Sequence, residues 1–159
     1  MGDMSTRMLL LSAVRTLWPR LTSALHGAGY TDVHPRHGAV LTHLDPKGTP
    51  VALLASRAGL GKAAMGALVD ELERAQYVQR KPSAPGRLPL IVATLRGQAV
   101  IRLMMVFDRQ MEQHIQRAVG PNGYESLRTM LHVLARSLGG TCEGQLTTHP
   151  ASSDRAQDI

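Results

Sequence analysis

The sequence predicts a mainly α-helical fold with a small β-hairpin set ahead of a long helix. Three observations predict it. Apolar residues recur at spacings of three and four through most of the chain, the period of a helix with one buried stripe. That period breaks down once, where the breaker-rich run Lys81-Pro82-Ser83-Ala84-Pro85-Gly86-Arg87 separates two short apolar stretches. Caps and glycines then cut the helical remainder into pieces of one domain's size. With 159 residues, 43% hydrophobic and 19% charged, the chain suits one domain, or one domain with a helical appendage, around a real core. Aromatics make up only 3%, so that core falls to Leu, Val, Ala and eight Met. The single cysteine, Cys142, excludes an internal disulfide framework and fits a reducing compartment. No apolar run approaches the ~20 residues of a membrane span, and the N-terminus lacks a secretory pattern. A cytoplasmic protein with no membrane partner is expected.

The elements follow in order. Residues 6–26 carry Met8, Leu9, Val14, Leu17, Leu21 and Leu25 on one helical stripe, with Pro19 inside it expected to kink or divide the helix. Residues 35–44 suit a short helix opened by Pro35. A turn at Asp45-Pro46-Lys47-Gly48 precedes a second short helix, expected to be capped by Thr49, with Pro50 first inside and Gly59 closing it. A further helix runs from Gly61 or Lys62 to Gln76 on Met65, Leu68, Val69 and Leu72. Val78 opens one strand, and residues 88–93 form another, with Pro89 confining it to an edge. Thr94 caps a long helix over residues 95–117, ~34 Å at the usual rise. Gly120-Pro121-Asn122-Gly123 ends it, and residues 124–138 form the last helix. From residue 139 to 159 the composition is that of a disordered tail.

Charge is concentrated in the middle. The formal net charge is +6, and between Val33 and Gly97 nine Lys and Arg face four Asp and Glu, an excess of five. The flanks are almost balanced. A polyanion partner is therefore sought at two short helices, a hairpin with a basic tip, and the start of a long helix. That order is a winged helix-turn-helix, and double-stranded DNA is the polyanion it fits.

The run LLASRAGLGKAAMGALVDELERAQYVQR resembles the helix-turn-helix of the MarR family of bacterial regulators. The matching residues are Leu54-Ala55, Gly59-Leu60, Leu72-Glu73, Val78 and Arg80. Ala93-Thr94-Leu95-Arg96-Gly97 is similar to the family's junction between wing and long helix. The resemblance implies a triangular homodimer. Residues 1–32 and 98–138 would form the helical dimerisation region, and 33–97 the DNA-binding domain. It implies transcriptional control, usually repression, relieved by a small aromatic or phenolic ligand, with a pseudo-palindromic operator matching the two-fold axis.

The DNA contacts so implied are Lys62 and Ala63 on the recognition helix, and Arg80, Lys81 and Arg87 on the wing. Two departures from the family pattern stand out. The base-facing stretch is Gly61-Lys62-Ala63-Ala64-Met65-Gly66-Ala67, in which only Lys62 is a strong donor. The wing's usual Asp-x-Arg is Pro85-Gly86-Arg87, an arginine without its carboxylate. The family's ligand pocket lies where the first, second and fifth helices meet. Arg15, Trp18, His34, His37, Arg102, Met105 and Asp108 are the residues of this chain expected to reach it. An arginine would pair with a ligand carboxylate, and Trp18 would stack on a ring. His34, His37 and His43 lack a nearby Cys or Glu to complete a metal set, so no metal or other cofactor is expected. No nucleophile elbow, phosphate loop or catalytic carboxylate pair is present, which favours binding over catalysis. A MarR-fold protein repurposed for small-molecule binding or catalysis remains the alternative, supported by the bare recognition helix.

Overall fold

A computed structural model describes residues 4–138; the expected tail, Cys142 included, lies outside the described residues. Helix α1 (Thr6–Gly27) leads through a 3₁₀ turn (Pro35–His37) into the one-turn α2 (Gly38–Leu41). Strand β1 (Thr49–Pro50), α3 (Val51–Ala58), α4 (Lys62–Arg74), β2 (Val78–Lys81) and β3 (Leu90–Ala93) follow, and α5 (Leu95–Ser137) closes the described chain. The architecture is mainly helical with a small antiparallel sheet, as expected. Pro19 does not divide α1, which runs through it as one helix. No single helix among the described residues is long and apolar enough to cross a membrane.

The sheet has three strands, not two, in the order β1-β3-β2. Thr49 was expected as a helix cap, but it pairs with Ile91, and Pro50 pairs with Leu90. The reason is local chemistry. The fully buried Thr49 hydroxyl accepts the Asp45 N–H at 2.8 Å, closing the preceding turn rather than the following helix. Strand β3 starts at Leu90, not residue 88, since Pro89 has no N–H for a ladder. The second helix is also shorter than its apolar pattern implied: its opening turn is 3₁₀, and it stops at Leu41.

Helices α3 and α4 meet at 112°, inside the 90–120° range of a helix-turn-helix. Gly59 makes the corner with φ +64°, and the Leu60 N–H returns to the Ala55 carbonyl at 2.9 Å. Under this corner Val40, Leu41, Leu54, Met65, Val69 and Leu72 form a core that excludes water almost completely. The core continues without a gap into the helical region through Leu21, Leu25, Val100 and Met104, which seats the winged unit on α1 and α5.

Helix α5 holds the two expected helices, joined at Gly120, whose φ +74° and ψ 165° are non-helical. The break stands where the glycine-proline run placed it. Beyond it the chain folds back. Arg128 approaches Glu112 to 3.5 Å, although sixteen residues of straight helix would hold them ~24 Å apart. Leu9, Leu11 and Val14 on α1, and Val119, Met130 and Val133 on α5, keep 42–62% of their surface open in the single chain.

Candidate nucleic-acid interface and adjoining cleft

The second helix of the helix-turn-helix, α4, buries Met65, Val69 and Leu72 and turns Lys62, Ala63, Ala67, Asp70 and Arg74 outward. Those exposed positions follow the helical period, so they form one stripe. The stripe begins with a cation, passes over two Ala, and ends in an acid and a base. Lys62 is the first residue of α4 and Ala63 the second, both open to solvent.

The wing is β2, β3 and their loop. Its tip is a turn in which the Arg87 N–H reaches the Ala84 carbonyl at 3.0 Å, and Gly86 takes φ +78°. Pro at the second position and Gly at the third are the type II pattern. Arg87 is exposed at the end of this turn, and Lys81 is exposed at the end of β2.

Arg80 stands differently. Its guanidinium bonds Asp70 at 2.6 Å and also Glu73, while its backbone N–H donates to Glu73 Oε1 at 3.0 Å. Both acids lie on α4, so Arg80 ties the wing to the recognition helix, and the two carboxylates raise its pKa further. Three other cations of the central window are likewise paired: Arg36 with Glu71, Arg57 with Asp45, and Arg96 with Asp32. Among the described residues, Lys47, Lys62, Arg74, Lys81 and Arg87 have no carboxylate partner. These five are the cations of the central window left without an ion pair. Lys47 and Arg74 were not singled out from sequence; only the pairing of their neighbours distinguishes them.

The base of the wing is anchored by a cluster that sequence reading missed. The Tyr77 hydroxyl donates to Asp32, and Arg96 reaches both Asp32 oxygens at 3.2 and 3.3 Å. The Arg96 guanidinium also lies 4.6 Å from the Tyr77 ring centre. The hydrogen bond from Tyr77 holds Asp32 below the usual carboxylate range, aided by Arg96. Burial, with the Asp32 carboxylate beside it, pushes Tyr77 up to about 12. Thr94 caps α5 as expected: its hydroxyl accepts the Gly97 N–H at 3.1 Å and donates to the Gln76 carbonyl at 2.6 Å. Gln76 itself has φ +61°, alone among the described non-glycine residues in the left-handed region.

A small apolar cleft lies between α1, the 3₁₀ turn and α5. Trp18, Leu21, Val33, His34, Pro35 and Met104 are among its walls. Its volume of about 10 Å³ is that of one water. Of the residues expected at a ligand pocket, Trp18 and His34 line this cleft. Arg15, Arg102, Met105 and Asp108 are exposed and do not. The α5 wall is Met104, one residue from Met105. The buried stripe Gly97, Val100 and Met104 could have signalled that phase. Partial burial, with Glu112 one turn away, raises the pKa of Asp108. His37 is only 3% exposed and turns toward α4, where its Nε2 lies 3.0 Å from Glu71. Among the described residues no group of three or more His, Cys, Asp and Glu is placed to hold a metal ion.

No protein-family model matches the chain, and no curated relative matches its sequence. Solved structures do match. Staphylococcus aureus MepR in complex with DNA superposes with a TM-score of 0.73 at 17% identity, covering 87% of this chain and 99% of that one. Streptococcus pneumoniae FabT in complex with DNA gives 0.72 at 16%, covering 82% and 93%. A Mycobacterium tuberculosis MarR family protein in complex with salicylic acid gives 0.58 at 24%, covering 84% and 98%. The fold is that of MarR-family transcriptional regulators.

Proposed function

We propose that this chain, built on the MarR fold, is a homodimeric DNA-binding transcriptional repressor released by a small aromatic or phenolic ligand. The observation that carries the proposal is the position of the unpaired charge. Lys62 at the start of α4 and Lys81 and Arg87 on the wing stand where a winged helix-turn-helix meets a duplex. Helix α4 enters the major groove, and the wing reaches phosphates or the neighbouring minor groove. The open apolar residues of α1 and α5 support pairing of two chains, and a two-fold dimer matches a pseudo-palindromic operator. The DNA complexes of MepR and FabT support the same use of the fold.

The middle of the stripe, Ala63, Ala67 and Asp70, has no bidentate donor, which leaves Lys62 and Arg74 at its ends, so phosphate contacts and duplex shape supply most of the affinity. Each missing bidentate pair forgoes ~1–3 kcal/mol of discrimination. A modest specificity ratio is expected beside a steep salt dependence. Arg80 acts on DNA through the wing that it holds in place.

The ligand site is the Trp18 cleft in an opened form. Drug-sized ligands occupy pockets of roughly 300 Å³ or more, so helix α1 and the 3₁₀ turn must separate to admit an aromatic ring. Arg15, exposed one helical turn before Trp18, supplies a partner for a carboxylate. The salicylic acid complex of the mycobacterial protein supports an aromatic acid as first probe.

The test is a mobility shift and anisotropy titration with DNA upstream of the chain's own gene, followed by salicylate competition. Trp18 is the sole tryptophan, so its fluorescence reports cleft occupancy directly. Binding no tighter than to a scrambled duplex at low salt refutes the regulator. The bare recognition helix favours a second reading, a MarR fold kept for small-molecule binding or catalysis. Tight ligand binding without selective DNA binding would establish it instead.

A further inference from the structure

We infer that the 3₁₀ turn Pro35–His37 joins the Trp18 cleft to the recognition helix, and that His37 is the positioning residue of that joint. The inference rests on the proposed cleft and DNA face, and names the side chains that couple them. One side of the turn is cleft wall: Val33, His34, Pro35 and Gly38 line it. The other side grips α4. His37 Nδ1 accepts the His34 N–H at 3.1 Å, which places the ring proton on Nε2. Nε2–H donates to Glu71 at 3.0 Å. Arg36, from the same turn, donates to the same Glu71 oxygen through Nε at 3.0 Å, with a second guanidinium nitrogen also at 3.0 Å.

Three consecutive residues thus hold one wall of the cleft and one carboxylate of the DNA-reading helix. The His37 ring is buried and bonded at both nitrogens, so it has no free rotamer to absorb a displacement. Opening the cleft moves the His34 backbone, and that movement either breaks the His34–His37 bond or drags Glu71 with it. Either result shifts α4 relative to the wing. Trp18 is the lever. Its ring packs so closely on Gly38 that a methyl group there would sit 3.3 Å from Trp18 Cη2.

The two bonds separate by substitution. His37→Asn keeps an acceptor near Nδ1 and loses the reach to Glu71; His37→Gln keeps a donor near Nε2 and loses the cap on His34. Gly38→Val wedges the cleft without any ligand. Amide hydrogen exchange over residues 68–72 of α4 is read with and without the wedge, in wild-type, His37→Asn and His37→Gln backgrounds. In wild type the wedge should raise exchange roughly tenfold, within the usual range of coupling between sites. In both His37 backgrounds the rise should shrink to about twofold, a clear departure from additivity. An equal rise in all three backgrounds overturns the inference. If Gly38→Val fails to fold by thermal denaturation, Gly38→Ala is the milder wedge, read the same way. Exchange needs no DNA, so failure of wild type to bind a duplex would refute the regulator alone. Salicylate added to wild type should reproduce the wedge's pattern over residues 68–72. If it quenches Trp18 without that pattern, the inference also fails.

Discussion

Replacing Arg87 and Arg80 by alanine, one at a time, separates charge that DNA can use from charge the protein has already neutralised. Arg87 has no carboxylate partner, while Arg80 lies between Asp70 and Glu73. A cation that meets a phosphate displaces a condensed counterion, and the slope of log K against log salt changes by ~0.9 for each one. The proposed dimer would lose two copies, so Arg87→Ala should make the slope shallower by about 1.8. If all five unpaired cations of each chain touched phosphate, the wild-type slope would be about −9, an upper bound. Arg80→Ala should change the slope by less than half as much. Its affinity should still fall at every salt concentration, because the wing loses its tie to α4 and two carboxylates are left facing the duplex. Fluorescence anisotropy with one duplex, from about 50 to 200 mM salt, measures all of this. Equal slope changes for the two variants would refute the division of paired and unpaired charge.

Three further predictions concern the junction that carries the wing. Gly97→Ala should destabilise the fold by about 2 kcal/mol or more, since its Cβ would lie 1.9 Å from the Tyr77 carbonyl oxygen, a backbone atom; a denaturant midpoint unchanged from wild type would contradict that close approach. Gln76→Gly should stabilise it by about 1 kcal/mol, the relief of a side chain held at φ +61°, and should raise the thermal midpoint without altering DNA affinity. Tyr77 is raised to about 12 in the fold, so its neutral form contributes stability that is full below the unfolded value near 10 and is lost as pH climbs from there through 12. Tyr77→Phe should flatten that alkaline loss in thermal scans, and an unchanged profile would place its origin elsewhere.

Local chemistry made most of the fold readable. The periodic stripes of α1, α4 and α5, the Thr94 cap, the Gly59 corner and the break at Gly120 all depend on residues within four or five positions of one another. The same holds for the wing, whose breakers lie between its strands. The misreadings share the opposite property. Thr49 looked like a cap because Pro50 follows it, yet its strand partner Ile91 is 42 residues away. Met105 was expected at the pocket while Met104 lines the cleft, because periodicity fixes a helix's stripe only to within about a residue and packing fixes which side chain faces α1.

The sequence by itself determined the order of elements, the winged unit and the amount of charge gathered there, since each follows from composition or short-range spacing. Only the tertiary structure decided which of that charge is available. Arg36, Arg57, Arg80 and Arg96 find carboxylates from 7 to 64 positions away, and the five cations left over are those that make no ion pair with a carboxylate. It also decided that His37 faces Glu71 rather than a ligand, 34 residues distant and one hydrogen bond away. Pairing of charges depends on which surfaces the core brings together, and the core is a property of the whole chain rather than of any window in it.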